Sequence, residues 1–408
     1  AELRSVNKRF PGGAPPELLA ALRSGLGDEG RGVLDEMLER PLVVVTMMEH
    51  HSNLIPWMEA VGHHNLRAVR VDPATGALDL SDLARVLETE GRRVRLVAVT
   101  GVSNVTGIVN PVHRIAAMAH AVGAQILVDG AQWVPHARVE MHGAEPGDSL
   151  DYLVLSGHKL YAPGSRGALI GSLETLSGRR CVTDVGGGMV EYVSINDFEI
   201  KDDVAAREEA GTPNIPGSIA MGLVAETLLR IGMDLVAERE HRLTEALVRR
   251  LERVPKIHIY GSTDLDAVPR AGVVSFNIEG LRHGLVAAYL NDFHDIAVRE
   301  GCFCAHPYVK ALIGVDDQTE ESYRQEMLCG DRRNVPGMVR ASLGVYSTAD
   351  DVEALGAALE RLVGRADEMS ARYRSGLDGT FRLADAAELP RTYSVADEVE
   401  RWLDGGAR

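Results

Sequence analysis

Two ionisable residues stand where short apolar runs end. Asp129 closes the run Gln125–Asp129 and opens Asp129-Gly130-Ala131-Gln132. Lys159 ends Ser156-Gly157-His158-Lys159, just after the apolar run 152–155. A carboxylate at the end of a buried strand is costly unless it meets a cation or several donors. The plainer alternative is an Asp that forms a turn and caps the next segment. A lysine just beyond a hydrophobic strand sits in a partly dry place, where its amine is more easily neutral and nucleophilic toward an aldehyde. The plainer alternative there is a surface lysine in a glycine-rich hairpin. Lysine is scarce in this chain, with only Lys8, Lys159, Lys201, Lys256 and Lys310. Taken together, an Asp and a Lys at successive strand ends are the pair that a pyridoxal phosphate site requires. The amine takes the aldehyde, and the carboxylate holds the pyridine proton so that the ring accepts electrons. Ser156 and His158 are placed to hydrogen-bond an anion.

The elements that position these residues alternate in type. Leu42–Thr46 and Val94–Thr100 are compact and β-branched, and read as buried strands. The runs 125–129, 152–155 and 168–171 follow as further strands. Between the second and third lies a helix with Asn110 as its cap and Pro111 in its first turn. Ile115, Met118, Ala119 and Val122 form its apolar stripe, and Gly123 ends it. Strand and helix in short alternation predict an α/β domain with a mostly parallel sheet, whose ligands bind beyond the carboxyl ends of the strands. Near Pro216 the texture changes. Residues 219–253 are almost free of breakers and read as one or two long helices, with Leu223, Leu228, Leu229, Met233 and Val236 as apolar positions. Short strands such as 272–277 come after Pro255. This divides the chain into a large domain over 1–225, a smaller α+β domain over 226–364 and a helical extension over 365–408.

Composition narrows the classes of function. The chain has 408 residues, 45% of them hydrophobic and 25% charged, the balance of a globular protein. Its formal net charge of −16 disfavours a grip on nucleic acid or anionic lipid, both of which need a basic surface. No apolar run is long enough to span a bilayer, and the first ten residues lack the apolar core of a signal peptide. The 4 cysteines make no disulfide framework, so a reducing, cytoplasmic setting is expected.

Six stretches, in order, resemble the class V aminotransferase fold, in particular its cysteine desulfurase and selenocysteine lyase group. They are Glu49-His50-His51-Ser52-Asn53-Leu54-Ile55-Pro56-Trp57, Ser103-Asn104-Val105-Thr106-Gly107, Asp129-Gly130-Ala131-Gln132, Ser156-Gly157-His158-Lys159, Gly211-Thr212-Pro213-Asn214-Ile215 and Arg340-Ala341-Ser342. The resemblance implies the aspartate aminotransferase-like fold of pyridoxal 5'-phosphate enzymes, fold type I. It also implies roles. His50 would stack on the pyridine ring, and Asn104 and Gln132 would bond the phenolic oxygen. Asp129 would pair with the ring nitrogen and Lys159 would bind the cofactor covalently. Ser156 and His158 would hold the phosphate. Thr212 would reach the phosphate of a neighbouring subunit, which implies a homodimer with shared sites. Arg340, aided by Arg299, would clamp the carboxylate of an amino-acid substrate, a planar task that lysine does poorly.

The cysteine pattern bears on what bond is broken. In Arg299-Glu300-Gly301-Cys302-Phe303-Cys304-Ala305-His306-Pro307, Cys304 matches the loop cysteine that accepts sulfur in the desulfurase pattern. Arg299 or His306 would favour its thiolate. Two other readings stay open: Cys302, Cys304 and His306 as metal ligands without an apparent fourth, and cysteines that are merely small loop residues. The sequence departs from the pattern in two places. No Gly-Thr-Thr phosphate turn stands before Glu49, and a longer stretch than usual separates Cys304 from Arg340. The charged residues 315–333 within that stretch read as a solvated face, a lid or a docking surface. The readings therefore rank as cysteine desulfurase, then a carbon–sulfur lyase acting by β-elimination on a larger cysteine conjugate, then an aminotransferase. The non-enzymatic alternative is a degenerate member that relays sulfur or serves as a binding scaffold. Sulfur chemistry on Cys304 would further imply a protein that accepts the sulfur. His63, His64 and His136 read as surface or packing residues, and Gly186-Gly187-Gly188 as a loop passing close to the site.

Overall fold

A computed structural model describes residues 16–27, 30–31, 41–177, 185–384 and 394–403 of the chain. Cys181 lies outside the described residues. Six strands form the larger sheet: β1 (Leu42–Thr46), β2 (Leu66–Val69), β3 (Val94–Thr100), β4 (Gln125–Asp129), β5 (Tyr152–Ser156) and β6 (Gly167–Gly171), in the order β2-β1-β3-β4-β5-β6. All neighbours run parallel except β5 and β6, which pair antiparallel. The central strands are apolar on both faces because helices cover both, as parallel sheets require. Helices Leu80–Glu90 and Val112–Ala121 bury Leu83, Val86, Ile115 and Ala119 against Val97, Val99, Ile126 and Val128. The other face of β1 and β3 meets Leu54, Trp57 and Met58.

Asn110 does not cap the helix that follows it. Its side chain donates to the Thr100 carbonyl at 2.8 Å, and Pro111 takes the cap position. Tying the loop back to the end of β3 satisfies a strand-end acceptor, which outweighs a cap bond for a buried amide. Gly123 follows the helix with φ of +79°, the left-handed turn that only glycine adopts freely.

β7 (Val190–Val193) and β8 (Phe198–Ile200) pair antiparallel on their own, and a second, antiparallel sheet has the order β11-β12-β10-β9. Its strands are β9 (Ile257–Ile259), β10 (Val273–Ile278), β11 (Arg299–Gly301) and β12 (Met338–Ser342), with Arg340 opposite both Ser275 and Arg299. Helices Met233–Leu251, His283–His294 and Ala349–Gly364 cover it, with Leu247, Val286, Tyr289, Leu359 and Phe276 in one core. Helix Ile215–Ile231 precedes them, and across it and the start of helix Met233–Leu251 the expected apolar positions divide. Leu228 and Val236 are buried, whereas Leu223 and Leu229 stand exposed. The tail differs from the helical reading. After helix Ala366–Arg372 come β13 (Tyr373–Ser375) and β14 (Phe381–Leu383), an antiparallel pair whose Phe381 packs against the second core. The charged stretch 315–333 holds helix Asp317–Leu328, capped by Asp316. No described helix is long and apolar enough to cross a membrane.

Candidate active site

Four parallel strands deliver the site from their carboxyl ends. β1 leads into Glu49 and His50, β3 into the loop of Asn104, β4 ends on Asp129, and β5 leads into Lys159. The turn after β5 is tight. The Gly157 amide donates to the Arg166 carbonyl at 3.0 Å, and a Cβ on Gly157 would lie 2.2 Å from that same oxygen. Only glycine fits there, and the turn it permits carries Lys159 back toward β4.

His50, Asp129, Ser156, His158 and Lys159 line one cavity of about 390 Å³, together with Ser52, Asn53, Trp57 and Ala131. Asp129 is nine-tenths buried, and its Oδ1 accepts the Ala131 amide at 2.9 Å. Burial pulls the Lys159 amine below the usual lysine range, with Arg340 acting in the same sense and Asp129 and Cys304 opposing. Burial also lowers His50, as do the charges of Lys159, His51 and Arg340. Its Nδ1 accepts the Ser52 amide at 3.2 Å, which leaves the neutral ring with its proton on Nε2.

The second sheet brings Arg340 to the edge of this site. Its Nη1 donates to the Asn104 carbonyl at 2.8 Å, and its guanidinium lies 5.2 Å from the centre of the Phe303 ring. Its buried Nε has no hydrogen-bond partner. Burial, with Arg299 beside it, pulls the guanidinium down to about 10, so it stays charged at neutral pH. Arg299 faces Arg340 across the β11–β12 ladder. Like charges directly opposite destabilise a sheet, and an anion between them reverses that.

Cys304 sits on a strained turn. The Ala305 amide donates to the Cys302 carbonyl at 2.9 Å, and Phe303 and Cys304 between them have φ of +51° and +55°. Two consecutive left-handed residues make the turn that Asn-Gly normally builds, and side chains there cost roughly 1–2 kcal/mol each. Three contacts hold it. Asn104 Nδ2 donates to the Phe303 carbonyl at 2.8 Å, the His51 amide donates to the Cys304 carbonyl at 2.7 Å, and the Phe303 ring is buried. The Cys304 thiol is exposed. Cys302 is different: burial pushes its thiol up to about 11, and it donates to the Pro336 carbonyl at 3.0 Å. His306 pairs with His51 at 3.0 Å. Among the described residues no group of three or more His, Cys, Asp or Glu is placed to hold a metal.

Some expected residues lie apart from the cavity wall. Asn104 is spent on the Cys304 turn, Gln132 follows Ala131 without lining the cavity, and Thr212 is exposed on the surface. His136 pairs with the buried Glu240 at 2.8 Å rather than lying free. Gly187 accepts from Gly211, so the glycine run lies beside the Thr212 segment. Glu49, Asn53 and Trp57 have no role in the motif reading; they recur every four residues, and the structure joins them across the turn His51–Asn53 and the helix Ile55–Val61.

The cavity suits pyridoxal phosphate on its own chemistry. A buried carboxylate faces an amine whose basicity burial has lowered, and the space is that of a small-molecule site. Comparison with known proteins agrees. Residues 31–355 match the family described as Aminotransferase class-V. A cysteine desulfurase of Serratia proteamaculans (strain 568) is 34% identical over 322 residues, which are 78% of this chain and 70% of that protein. Among solved structures, the apo cysteine desulfurase of Thermococcus onnurineus NA1 superposes with a TM-score of 0.66 at 32% identity, covering 81% of this chain and 77% of that one. The cysteine desulfurase CsdA of Escherichia coli gives 0.63 at 27%, covering 80% and 73%. The family match runs through every strand whose end builds the cavity, and so the chain belongs to the class-V aminotransferase family, whose members do their chemistry on pyridoxal phosphate.

Proposed function

We propose that the protein removes sulfur from L-cysteine, releasing L-alanine and leaving the sulfur as a persulfide on Cys304. The observation that carries this reading is the Cys304 turn. A strained, pinned turn presents an exposed thiol whose charge acts on Lys159. Lys159, Asp129, His50, Ser156 and His158 would hold the cofactor, whereas Asn104 and Gln132, which the resemblance assigns to its phenolic oxygen, do not line the cavity. When bound, pyridoxal phosphate supplies the electron sink that makes the substrate α-proton acidic.

The chain's own residues do the rest. Arg340 binds the substrate carboxylate and fixes the amino acid in the cavity, with Arg299 adding charge at the rim. The Lys159 amine, kept easily neutral by burial, takes the α-proton as general base. Asp129 holds the proton on the ring nitrogen. The Cys304 thiolate attacks the substrate sulfur. The carbon–sulfur bond breaks, its electron pair and one proton pass to the β-carbon, Lys159 returns its proton to the α-carbon, and the sulfur is oxidised to the persulfide. Cysteine plus thiol thus becomes alanine plus persulfide, with atoms balanced.

The protein would work as a homodimer, with Thr212 reaching the phosphate held by its partner. Exposure of Thr212 and of Ile215, Ile219 and Leu223 beside it supports this. A second protein would take the persulfide sulfur, in a cytoplasm that keeps thiols reduced. The domain division near residue 225 would let the second sheet carry Arg340 against the cavity.

Incubation with L-cysteine, a cysteine S-conjugate, and amino acids plus a 2-oxo acid tests the reading. Alanine from L-cysteine, lost in Cys304→Ala, is the expected result. Pyruvate and ammonia would make it a β-eliminating lyase, a new amino acid would make it an aminotransferase, and a protein that stays colourless with added cofactor would make it a scaffold.

A further inference from the structure

Glu49 is fully buried, and nothing in the chemistry above uses it. Its Oε1 accepts the Thr46 hydroxyl at 2.6 Å and the Thr100 amide at 3.0 Å. Its Oε2 accepts Asn53 Nδ2 at 2.6 Å. Asn53 passes the bond on, since its Oδ1 accepts the Trp57 indole N–H at 3.1 Å. Asn53, Trp57 and the adjacent His50 all line the Lys159 cavity. One carboxyl therefore joins the ends of β1 and β3 to a wall of the site.

We propose that Glu49 is a positioning residue that holds the Trp57 and His50 wall of the cavity in place through Asn53. A buried carboxyl is expensive, and an apolar side chain would fill the same space more cheaply. What only the carboxyl offers is an acceptor on both of its oxygens. A glutamine has one acceptor and one donor for three inward-pointing donors. It orphans either the Thr100 amide or, by turning Asn53 over, the Trp57 indole N–H.

The charge state adds a signature. Burial is the largest influence and raises the carboxyl, Asp129 adds to it, and the bonds from Thr46, Asn53 and Thr100 oppose; the balance lies at about 8. Asp129 at the end of β4 is the charged group acting on it, since the donors from β1, β3 and the turn are neutral. A neutral acid with its proton on Oε1 donates it to the Thr46 hydroxyl oxygen, which turns to accept, so Oε2 accepts from Asn53 on both sides of the titration. Ionisation strengthens that bond.

The test uses the cofactor-loaded protein as wild type, Glu49→Gln, Trp57→Phe and the double variant. Tryptophan emission is titrated from about pH 6 to pH 10, and kcat and KM are measured with L-cysteine. The part of the emission that Trp57→Phe removes should show a transition near pH 8 in the wild type and none in Glu49→Gln. In Glu49→Gln, kcat should fall roughly ten- to a hundredfold while KM stays within about threefold. The double variant should be no worse than Glu49→Gln, because the orphaned indole N–H is gone. A retained transition, an unchanged kcat, or effects that simply multiply in the double variant overturns the proposal. If Glu49→Gln does not fold, Asn53→Leu replaces it with the same expectations, since it cuts the network and leaves the carboxyl in place. The kinetic arm rests on the proposed function and the emission arm does not. A wild type that makes no alanine yet shows the transition refutes the reaction and leaves the positioning intact.

Discussion

Arg340 and Glu49 are the residues whose surroundings lead most directly to measurement. Arg340 is a largely buried guanidinium with an unpartnered Nε and a second arginine opposite it, and the proposed role as carboxylate clamp rests on that geometry. Arg340→Leu should raise KM for the amino acid by about ten- to a hundredfold, the worth of a charge-assisted pair of hydrogen bonds, while cofactor absorbance persists. Arg340→Lys should recover little of this, because an ammonium cannot offer two parallel donors. Steady-state kinetics on the three proteins decide it. Glu49 makes a different, linkage prediction. Its folded pKa of about 8 lies above the ordinary 4.5, so folding favours the protonated form. The stability it contributes is complete below about pH 4.5 and is lost as pH rises through about 8. Between about pH 5 and pH 8 the wild type should therefore lose more stability than Glu49→Gln, by on the order of 3 kcal/mol. Denaturant unfolding at both pH values reads this difference.

At the scale of elements, the Cys304 turn depends on the helix that follows it. Helix His306–Ile313 is anchored by Tyr308, whose hydroxyl donates to the Gly76 carbonyl at 2.6 Å and meets Thr106 at 3.0 Å. Tyr308→Phe removes the donor of the buried Gly76 carbonyl, leaves the Thr106 hydroxyl its long contact from the Ile108 amide at 3.4 Å, and should cost about 1–3 kcal/mol, read as a lower midpoint in denaturant. It should also raise the reactivity of the Cys304 thiol toward an alkylating reagent, since the turn loses its base. Five of the six strands of the larger sheet were plain in the sequence, because they are short and mostly apolar, with Arg95 the charged exception inside β3, whereas β2, only four residues long and carrying Arg67, was not read as a strand. Nor was the tail plain. Its β13–β14 pair holds only three residues per strand, too few for period-two alternation to register.

On the scale of the whole molecule, the exposed apolar stripe Ile215, Ile219 and Leu223 has the four-residue step of a helix face made to be covered. If a second copy covers it, Ile219→Asp should shift the protein from dimer to monomer in sedimentation. Activity should fall with dissociation, because Thr212 would no longer reach the neighbouring site. A variant that remains dimeric with full activity would place the subunit contact elsewhere. In the sequence Leu223, Leu228 and Leu229 are alike as apolar positions of a long helix, yet Leu228 is buried while Leu223 and Leu229 lie open. Hydrophobic periodicity reports that a face will be buried without saying whether the same chain buries it.

What the sequence determined by itself was the chemistry of single residues and its order along the chain. Asp129 and Lys159 follow strand ends, and parallel strands can only gather their carboxyl ends at one edge, so their meeting in one cavity was implied by alternation alone. The six ordered stretches carried the family for the same reason, since local motifs survive without knowledge of their neighbours. Only the tertiary structure decided the contacts between distant segments. It spends Asn104 on the Phe303 carbonyl, leaves Arg340 with an unpaired nitrogen, makes Cys302 a buried thiol and Cys304 an exposed one, and gives Glu49 its three donors. Each of these follows from burial and from at least one partner far away in the chain, as the Thr100 amide is for Glu49. A residue's type fixes what it can do, whereas desolvation and the neighbours supplied by folding fix which of those things it does.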